Sequence, residues 1–197
     1  MTEVVIIDSG GANLASLQYA LERLGARSTV SSEREVIAQA RRVLLPGVGA
    51  AGSAMRRLQQ HGLDQLIPTL TQPLLGICLG MQLLYAHSEE GATDCLGIVP
   101  GTVQHIAAQP GLPVPQMGWN CCRSLAEDPL LRGLGTSDYV YFVHSYAAPV
   151  GPHTLATVDY GTPLTAAVRR NNFWGVQFHP ERSARVGARL LANFLEL

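Results

Sequence analysis

Two short apolar runs constrain the fold most strongly. RVLLPG (42–47) and PLLGI (73–77) have the length and composition of buried strands, and the segment between them (50–67) has helical spacing. The chain begins in the same way, with the β-rich run VVIID (4–8) followed by a segment with helical spacing (13–25) that ends in glycine. The strand candidate RSTVSS and the helix candidate EREVIAQA then repeat the alternation. Strands separated by helices in this rhythm predict an α/β fold whose central, mostly parallel sheet is flanked by helices.

The second half of the chain has a different texture. After residue 94 it contains short β-like runs separated by Gly, Pro and Asn, namely GIVPGTVQHI, LPVPQMGWNCC, YVYFVHSY, TLATVDYG, LTAAVRR and NNFWGVQF. These runs predict a mixed or antiparallel extension of the sheet, and SARVGARLLANFLEL (183–197) predicts a closing helix. Because no internal repeat, low-complexity tract or linker interrupts the sequence, we predict a single domain over residues 1–197.

Composition argues against several classes of function. Hydrophobic residues make up 47% of the 197 residues and charged residues 15%, which suits a buried core and does not suit a disordered chain. The net charge of -1 gives no basis for bulk attraction to nucleic acid or to anionic membranes. The apolar run EVVIID begins at once without a basic segment, and no apolar stretch approaches the ~18 residues of a membrane helix. Neither a signal peptide nor a membrane span is therefore expected.

The spacing of the four cysteines indicates reduced thiols. Cys78, Cys95, Cys121 and Cys122 show no C-x-x-C spacing, and an adjacent pair suits neither a zinc site nor an ordinary disulfide. We therefore predict a cytoplasmic enzyme without a metal site.

One cysteine lies between two glycines. Gly76, Cys78 and Gly80 form the pattern G-x-C-x-G, the sulfur counterpart of the strand-to-helix elbow that exposes a nucleophilic serine. If PLLGI is a central strand, Cys78 follows it and begins the helix MQLLYAH (81–87), where open α/β sheets place their active sites. N–H groups at a helix start favour a thiolate. The alternative is a buried cysteine that only packs in a core turn.

A histidine and a carboxylate follow the run NNFWGVQF. Proline restricts His179 of His179-Pro180-Glu181 to an extended conformation, in which residues two apart project to the same side. Glu181 is therefore expected to reach the His179 ring and to fix its tautomer. Cys78, His179 and Glu181 together form a nucleophile, a base and a residue that orients the base. By itself, a histidine after a strand is more often structural.

The glycine-rich turn LLPGVG (44–49) is a candidate oxyanion hole. It follows a predicted parallel strand, so its N–H groups are expected near the end of the strand that carries Cys78. The N–H of Leu79 and an N–H near Val48 or Gly49 are candidate donors to an oxyanion. The alternative is a plain strand-to-helix turn, which Pro-Gly also favours.

Taken together, these motifs resemble the class I (triad) glutamine amidotransferases over the full length of the chain. GICLGMQ and QFHPE are the most specific matches. Further matches are GANL near the amino terminus, PGVGA, SEE after GICLGMQLL, MGWN (117–120) and YFVHSY (141–146). Through these further motifs the chain resembles the glutaminase subunits of imidazole glycerol phosphate synthases, which act in histidine biosynthesis.

The resemblance implies a reaction and its residues. Cys78 would attack the side-chain amide of glutamine, His179 would shuttle the proton, and water would hydrolyse the thioester to glutamate after ammonia leaves. The residues that would hold glutamine are Gly49, Gln82, Glu90, Ser145 and Tyr146. The resemblance implies no metal or organic cofactor.

The resemblance also implies a partner. Ammonia would pass to a cyclase subunit, a (β/α)8 barrel in a heterodimer, which makes imidazole glycerol phosphate and the purine precursor AICAR. The positions that would face the cyclase are residues 9–13, including Asn13, and Trp119, Tyr141 and Arg182. Two positions depart from the family pattern, since Gln116 stands where histidine is common and Arg182 where lysine is common.

Three other interpretations stay open from the sequence. A cysteine peptidase or stress-response hydrolase on a related fold would share the elbow and the histidine but would need no glutamine pocket. A non-catalytic binding module would keep the fold alone. An anthranilate-type amidotransferase subunit would share the reaction but serve another partner.

Overall fold

Parallel and antiparallel strands share one large sheet. In the residues that the computed structural model describes (3–9, 14–124 and 126–197), nine strands form this sheet in the order β2-β1-β3-β4-β13-β12-β11-β8-β9. A smaller sheet in the same described ranges has the order β10-β7-β5-β6. The strands are β1 (Glu3–Ile7), β2 (Arg27–Ser31), β3 (Arg42–Gly47), β4 (Leu74–Cys78), β5 (Tyr85–Ser88), β6 (Thr93–Asp94), β7 (Val99–His105), β8 (Gln116–Ser124), β9 (Tyr139–His144), β10 (Tyr146–Ala147), β11 (Thr154–Tyr160), β12 (Thr162–Arg170) and β13 (Phe173–Val176).

The helices follow the predicted alternation in the first half and close the chain in the second. They are α1 (Leu14–Arg23), α2 (Arg34–Gln39), α3 (Ala51–Gln60), α4 (Leu63–Leu66), α5 (Leu79–Gln82) and α6 (Ala184–Glu196). The predicted helix over 50–67 is interrupted because Gly62 adopts a left-handed conformation with a φ of 63°. Within the described ranges, no helix has both the length and the apolar character needed to cross a membrane.

The parallel half of the sheet has the predicted α/β architecture. Strands β2, β1, β3, β4 and β13 pair in parallel, and β4 is buried along its whole length. Alternate residues enter two apolar clusters: Val4 and Ile6 lie in one, Val5 and Ile7 in the other. Residues of α1 and α6 join the first cluster, and residues of α2 and α3 join the second. Helices therefore cover both faces of the sheet, which explains why the inner strands β1, β3, β4 and β13 are mainly apolar, whereas the edge strand β2 (RSTVS) is polar and only partly buried.

Two expectations about the middle of the chain were wrong. The segment 81–87 is not a helix, since one helical turn (Leu79–Gln82) is followed by the strand Tyr85–Ser88. The run GIVPGTVQHI does not extend the main sheet, because β7 pairs in parallel with β5 and antiparallel with β10 in the smaller sheet. Four of the remaining β-like runs form the antiparallel strands β12-β11-β8-β9, and NNFWGVQF forms β13, which pairs antiparallel with β12 and in parallel with β4.

The glycines around Cys78 permit very close backbone packing. A Cβ atom at Gly80 would lie 1.7 Å from the carbonyl oxygen of Leu45, and one at Gly76 would lie 2.6 Å from the carbonyl oxygen of Gly80. Both obstacles are backbone atoms, so no side-chain rotation relieves them. The short turn after β4 therefore packs directly on the end of β3.

Gly80→Ala is expected to lower the free energy of unfolding by about 3 kcal/mol, because β3 and the turn after β4 must separate to admit the methyl group. The matched control is Gly151→Ala, at an exposed position where nothing lies within 4 Å of the added atom. Its effect should stay within about 0.5 kcal/mol. Urea denaturation of both variants checks the difference, and equal stabilities would contradict it.

Candidate active site

Three adjacent parallel strands bring the predicted motifs together. Strand β4 lies between β3 and β13, and Gly47 at the end of β3 pairs in register with Cys78. On the other side, Val176 pairs with Ile77, so the segment that leads to His179 leaves the sheet beside Cys78. The glycine-rich turn, the cysteine and the histidine thus meet at the carboxyl edge of the sheet.

Cys78 occupies a strained backbone conformation. Its φ of 55° and ψ of -112° are unusual for a residue with a side chain. Such strain is typical of an elbow that turns a nucleophile away from its strand. The side chain is 7% exposed, and Sγ lies 3.8 Å from the carbonyl oxygen of Val143 and 3.8 Å from Nε2 of Gln177. The thiol is thus held between two polar groups.

Glu181 contacts the His179 ring as predicted, but by a different route. Nδ1 of His179 lies 2.8 Å from Oε1 of Glu181, and both side chains are under 10% exposed. His179 itself is extended, yet Pro180–Arg182 form a 3₁₀ turn, which brings the carboxylate back to the ring. The contact therefore depends on a turn and not on an extended chain.

Ser183 fixes this turn to the neighbouring strand. Its hydroxyl donates to the carbonyl oxygen of His179 at 2.7 Å and accepts from the N–H of Tyr141 at 3.0 Å. The N–H of His179 donates to the carbonyl oxygen of Tyr141 at 2.9 Å. Helix α6 packs against the turn so closely that a Cβ at Gly187 would lie 1.9 Å from the carbonyl oxygen of Pro180. The ring thus has a fixed place.

The surroundings of His179 favour its protonated form. Burial lowers its pKa, but the neighbouring Cys78 sulfur and the hydrogen-bonded Glu181 carboxylate outweigh this and raise the pKa to about 10. Nε2 of His179 is buried and forms no hydrogen bond with any of the residues that the structure describes. An imidazole placed in this way holds a proton that it receives from the thiol and can deliver it to a leaving group.

The turn after β3 provides unpaired N–H groups. Val48, Gly49 and Leu79 line the same cavity as Cys78, and their N–H groups donate to no other group in the part of the chain that the structure describes. Gly49 has a φ of +86°, and nothing lies within 4 Å of a Cβ placed on it. The predicted donors therefore belong to residues that line the same cavity as the thiol, and the open space at Gly49 leaves room for the turn to change conformation.

A cavity of about 440 Å³ contains the predicted glutamine-binding residues. Gly49, Gln82, Glu90, Ser145 and Tyr146 all line it. Two of these also have structural contacts that the sequence did not reveal. Gln82 Nε2 donates to the Tyr146 carbonyl oxygen at 2.8 Å, and Glu90 Oε2 accepts from the N–H of Ala51 at 2.7 Å, where α3 begins.

Three of the residues predicted to face a partner lie together beside the cavity. Trp119 is 52% exposed, and its ring meets that of Tyr141 edge-on at 6.0 Å between centroids. The Arg182 guanidinium lies over the Tyr141 ring at 4.5 Å. Arg182 also lines the cavity. Asn13 lies outside the described residues, as do residues 10–12. Ser9, which was also predicted to face the partner, is instead buried at 2% exposure, and its hydroxyl donates to the carbonyl oxygen of Pro46 at 2.6 Å.

His144 and Gln177 were not among the predicted site residues. His144 lines the cavity, is 6% exposed and has Nδ1 2.8 Å from the carbonyl oxygen of Tyr146. Gln177 is fully buried against Cys78. The signal for Gln177 was its position two residues before His179, which places both on one side of an extended segment. His144 carried no comparable signal.

His144 makes stability depend on pH. Burial lowers its pKa to about 4, the hydrogen bond to Tyr146 partly opposes this, and His179 lowers it further. The unfolded state takes up a proton near pH 6.5 but the folded state only near pH 4, so stability is present above pH 6.5 and is lost as pH falls between these values. Between pH 7 and pH 5 this residue should account for a loss of about 2 kcal/mol.

His144→Gln removes the titrating group and should reduce the acid-dependent loss by that amount in urea denaturation at both pH values. His153→Gln, at a partly exposed position, is the control and should leave the pH dependence unchanged. An unaltered pH dependence in His144→Gln would show that other groups cause it.

The described residues offer no metal site. Among them, no group of three or more His, Cys, Asp or Glu side chains is placed to hold a metal ion.

Comparison with known proteins shows the family. The glutamine amidotransferase class-I family pattern matches residues 5–197. A curated Imidazole glycerol phosphate synthase subunit HisH from Xanthomonas campestris pv. campestris (strain 8004) is 52% identical over 100% of this chain and 98% of its own length. A protein of the same name from Vibrio parahaemolyticus serotype O3:K6 is 49% identical over 100% of both chains. The solved structure of PurLQS from Thermotoga maritima has a TM-score of 0.74 at 16% identity, covers 99% of this chain and 98% of its own, and confirms the fold. The chain belongs to the class-I glutamine amidotransferase family.

Proposed function

We propose that this chain is the glutaminase subunit of an imidazole glycerol phosphate synthase and releases ammonia for a cyclase partner. The observation that carries the proposal is the identity of about one half, over essentially the full length, to proteins of that name. This identity favours a subunit that serves histidine biosynthesis over an anthranilate-type subunit. The buried contact between His179 and Glu181 beside Cys78 supports catalysis and argues against a binding module.

The proposed reaction forms and then hydrolyses a thioester. Cys78 Sγ attacks the side-chain carbonyl carbon of glutamine while its proton passes to His179 Nε2. Glu181 holds the Nδ1 proton and stabilises the imidazolium. N–H groups of Leu79 and of Val48 or Gly49 stabilise the oxyanion. His179 returns the proton to the departing nitrogen, which leaves as ammonia, and water then converts the thioester into glutamate and regenerates the thiol.

Substrate would bind in the cavity that contains Cys78. Because Gln82 Nε2 is already paired with protein oxygens, its Oε1 is the atom that remains for the α-ammonium group of glutamine. The Glu90 carboxylate lines the same cavity. Gly49 and the Ser145–Tyr146 backbone complete the proposed binding set. One domain over residues 1–197 would contain all of these groups, since the large sheet takes strands from both halves of the chain.

The proposed partner is a (β/α)8-barrel cyclase bound as a heterodimer in the cytoplasm. The exposed Trp119 and the stacked Tyr141 and Arg182 offer an aromatic and cationic surface next to the cavity that contains Cys78. Ammonia released behind such a surface would pass to the partner without entering bulk solvent. A cytoplasmic setting fits the four cysteines, all of which are free thiols in the structure.

The isolated chain is expected to have very low glutaminase activity. Gly49 has open space around it, so a peptide plane of the glycine-rich turn can rotate and turn an N–H toward or away from the oxyanion at low steric cost. The absence of one such donor lowers the rate by roughly 10²–10³-fold. We infer that the partner and its nucleotide ligand complete the oxyanion hole.

The test uses the cyclase from the same source. Copurification is expected, together with glutaminase rates that rise by roughly 10²–10³-fold from the chain alone to the complex with the cyclase's nucleotide ligand. The Cys78→Ala chain with the same cyclase controls for contaminating glutaminase. A chain that does not bind the cyclase, or is fully active alone, would contradict the proposal.

A further inference from the structure

Gln177 is a fully buried polar residue that directly contacts the nucleophile. It follows β13 and lies one residue beyond the pair Val176–Ile77, level with Cys78 at the end of β4. The two residues are 99 positions apart in sequence. Neither the resemblance nor the proposed reaction gives this residue a role, although burial of an amide is unfavourable unless its polar atoms are paired.

The orientation of the Gln177 amide is fixed by its neighbours. A backbone carbonyl only accepts hydrogen bonds, so the Gln82 atom 2.8 Å from the Tyr146 carbonyl oxygen must be the nitrogen. The same nitrogen lies 2.9 Å from Oε1 of Gln177, which therefore accepts. The remaining atom of the Gln177 amide, Nε2, must then face the sulfur of Cys78, at 3.8 Å. The chain of contacts allows no other assignment.

The two hydrogen-bond contacts between Sγ and the described residues favour opposite protonation states. The carbonyl oxygen of Val143 accepts a bond from the thiol, but it has nothing to offer a thiolate. The Gln177 N–H donates to either form, and its bond to the thiolate is charge-assisted and about twice as strong as a neutral bond. Once the thioester forms, the sulfur is neutral again and this advantage disappears. Gln177 thus contributes to the step in which Sγ attacks the carbonyl carbon of the substrate.

We propose that Gln177 is a catalytic residue, whose Nε2 donates to Sγ of Cys78 and stabilises the attacking thiolate, while Gln82 holds the donor in place. The role in glutamine hydrolysis rests on the function proposed above. Gln82 also lines the glutamine cavity, so the same side chain connects substrate binding to the nucleophile. Gln177 therefore acts before the first covalent step.

The test measures the reactivity of Cys78 without glutamine. The rate of iodoacetamide alkylation of the Cys78 peptide is followed by mass spectrometry across pH in the whole chain. In Gln177→Met, which keeps the size but removes the donor, the pH of half-maximal rate should rise by about one unit. Gln177→Glu keeps the shape and places a carboxylate against the thiolate, so its shift should be larger. The other charged or titratable groups around the cavity are the same in all variants: Glu90, His144, Tyr146, His179, Glu181 and Arg182.

Gln116→Met is the matched control. Gln116 is also a buried glutamine, 3% exposed, but it makes no contact with Sγ. Its substitution should leave the pH of half-maximal alkylation unchanged. If Gln177→Met does not fold, Gln82→Leu takes its place, because it removes the bond that orients the donor and should shift the profile in the same direction.

An unchanged midpoint in the Gln177 variants, with only a lower overall rate, would overturn the proposal and leave Gln177 as a packing residue. Glutamine turnover in the cyclase complex gives a second measurement. Gln177→Met should lower kcat, and the fold-change in kcat should exceed the fold-change in KM about tenfold. A failure of the proposed function would give a different result, because the wild-type complex would then have no glutaminase activity. The alkylation experiment does not use glutamine, so it would still test the role of Gln177.

Discussion

Cys78→Ala is expected to abolish glutamine-dependent ammonia release, with a loss of at least about 10⁴-fold. The substitution removes the atom that forms the covalent intermediate, and no other described thiol lines the cavity. Only a small side chain is lost, so fold and partner binding should persist. Supplied with ammonium salts, the mutant complex should still make imidazole glycerol phosphate, because the cyclase then takes nitrogen from solution.

Cys122→Ala provides the matched control for this substitution. Both cysteines are 7% exposed, so their truncation perturbs packing to a similar degree, but Cys122 lies at a small apolar pocket away from the site. Glutaminase activity should survive in Cys122→Ala. Ammonia release that survives in Cys78→Ala would show that the mechanism is wrong.

His179→Ala is expected to reduce the rate of glutamine hydrolysis by roughly 10⁴–10⁶-fold. The loss of rate in Glu181→Gln should be roughly 10–100-fold smaller than the loss in His179→Ala. His179 transfers the proton in both halves of the reaction, so its loss leaves no base and no acid. Glu181 acts through the ring, since its Oε1 lies 2.8 Å from Nδ1. An amide oxygen in its place can still accept from Nδ1–H but no longer stabilises the imidazolium. Initial rates in the cyclase complex measure both losses.

The control for this pair is Glu89→Gln. Glu89 accepts from the N–H of His105 and does not line the cavity, so loss of its charge should leave the rate unchanged. Equal losses in His179→Ala and Glu181→Gln would show that the carboxylate does more than orient the base.

The expectations that the structure corrected concern segments whose secondary structure depends on pairing with residues elsewhere in the sequence. The run after Cys78 was expected to be helical, but Val99 on the distant strand β7 pairs with Tyr85 and draws that segment into a strand. Apolar spacing over a few residues fits a short helix and a strand equally well, so only the pairing partner separates them. The same pairing removes β7 from the main sheet.

By itself, the sequence determined the elements of the parallel half and the nucleophile, base and carboxylate of the site, but it did not point to Gln177 or His144. Buried strands such as RVLLPG and PLLGI carry their own signature, because residues covered on both faces must be apolar throughout. The pattern G-x-C-x-G was readable for a similar reason, since only glycine fits where Gly80 meets the carbonyl oxygen of Leu45. The apolar runs reflect burial that each strand encodes in its own residues, and Gly80 reflects a close backbone contact that only a residue without a side chain permits.

Only the tertiary structure decided which groups touch. Placement of β4 between β3 and β13 brings Cys78 beside Gln177, and the turn at Pro180–Arg182 brings Glu181 back to the His179 ring. The bond between Gln82 and Gln177 joins residues 95 positions apart, and nothing in either segment specifies the other. A hydrogen bond requires both partners within about 3 Å, and for distant segments that separation is set by sheet order and packing, not by residue type.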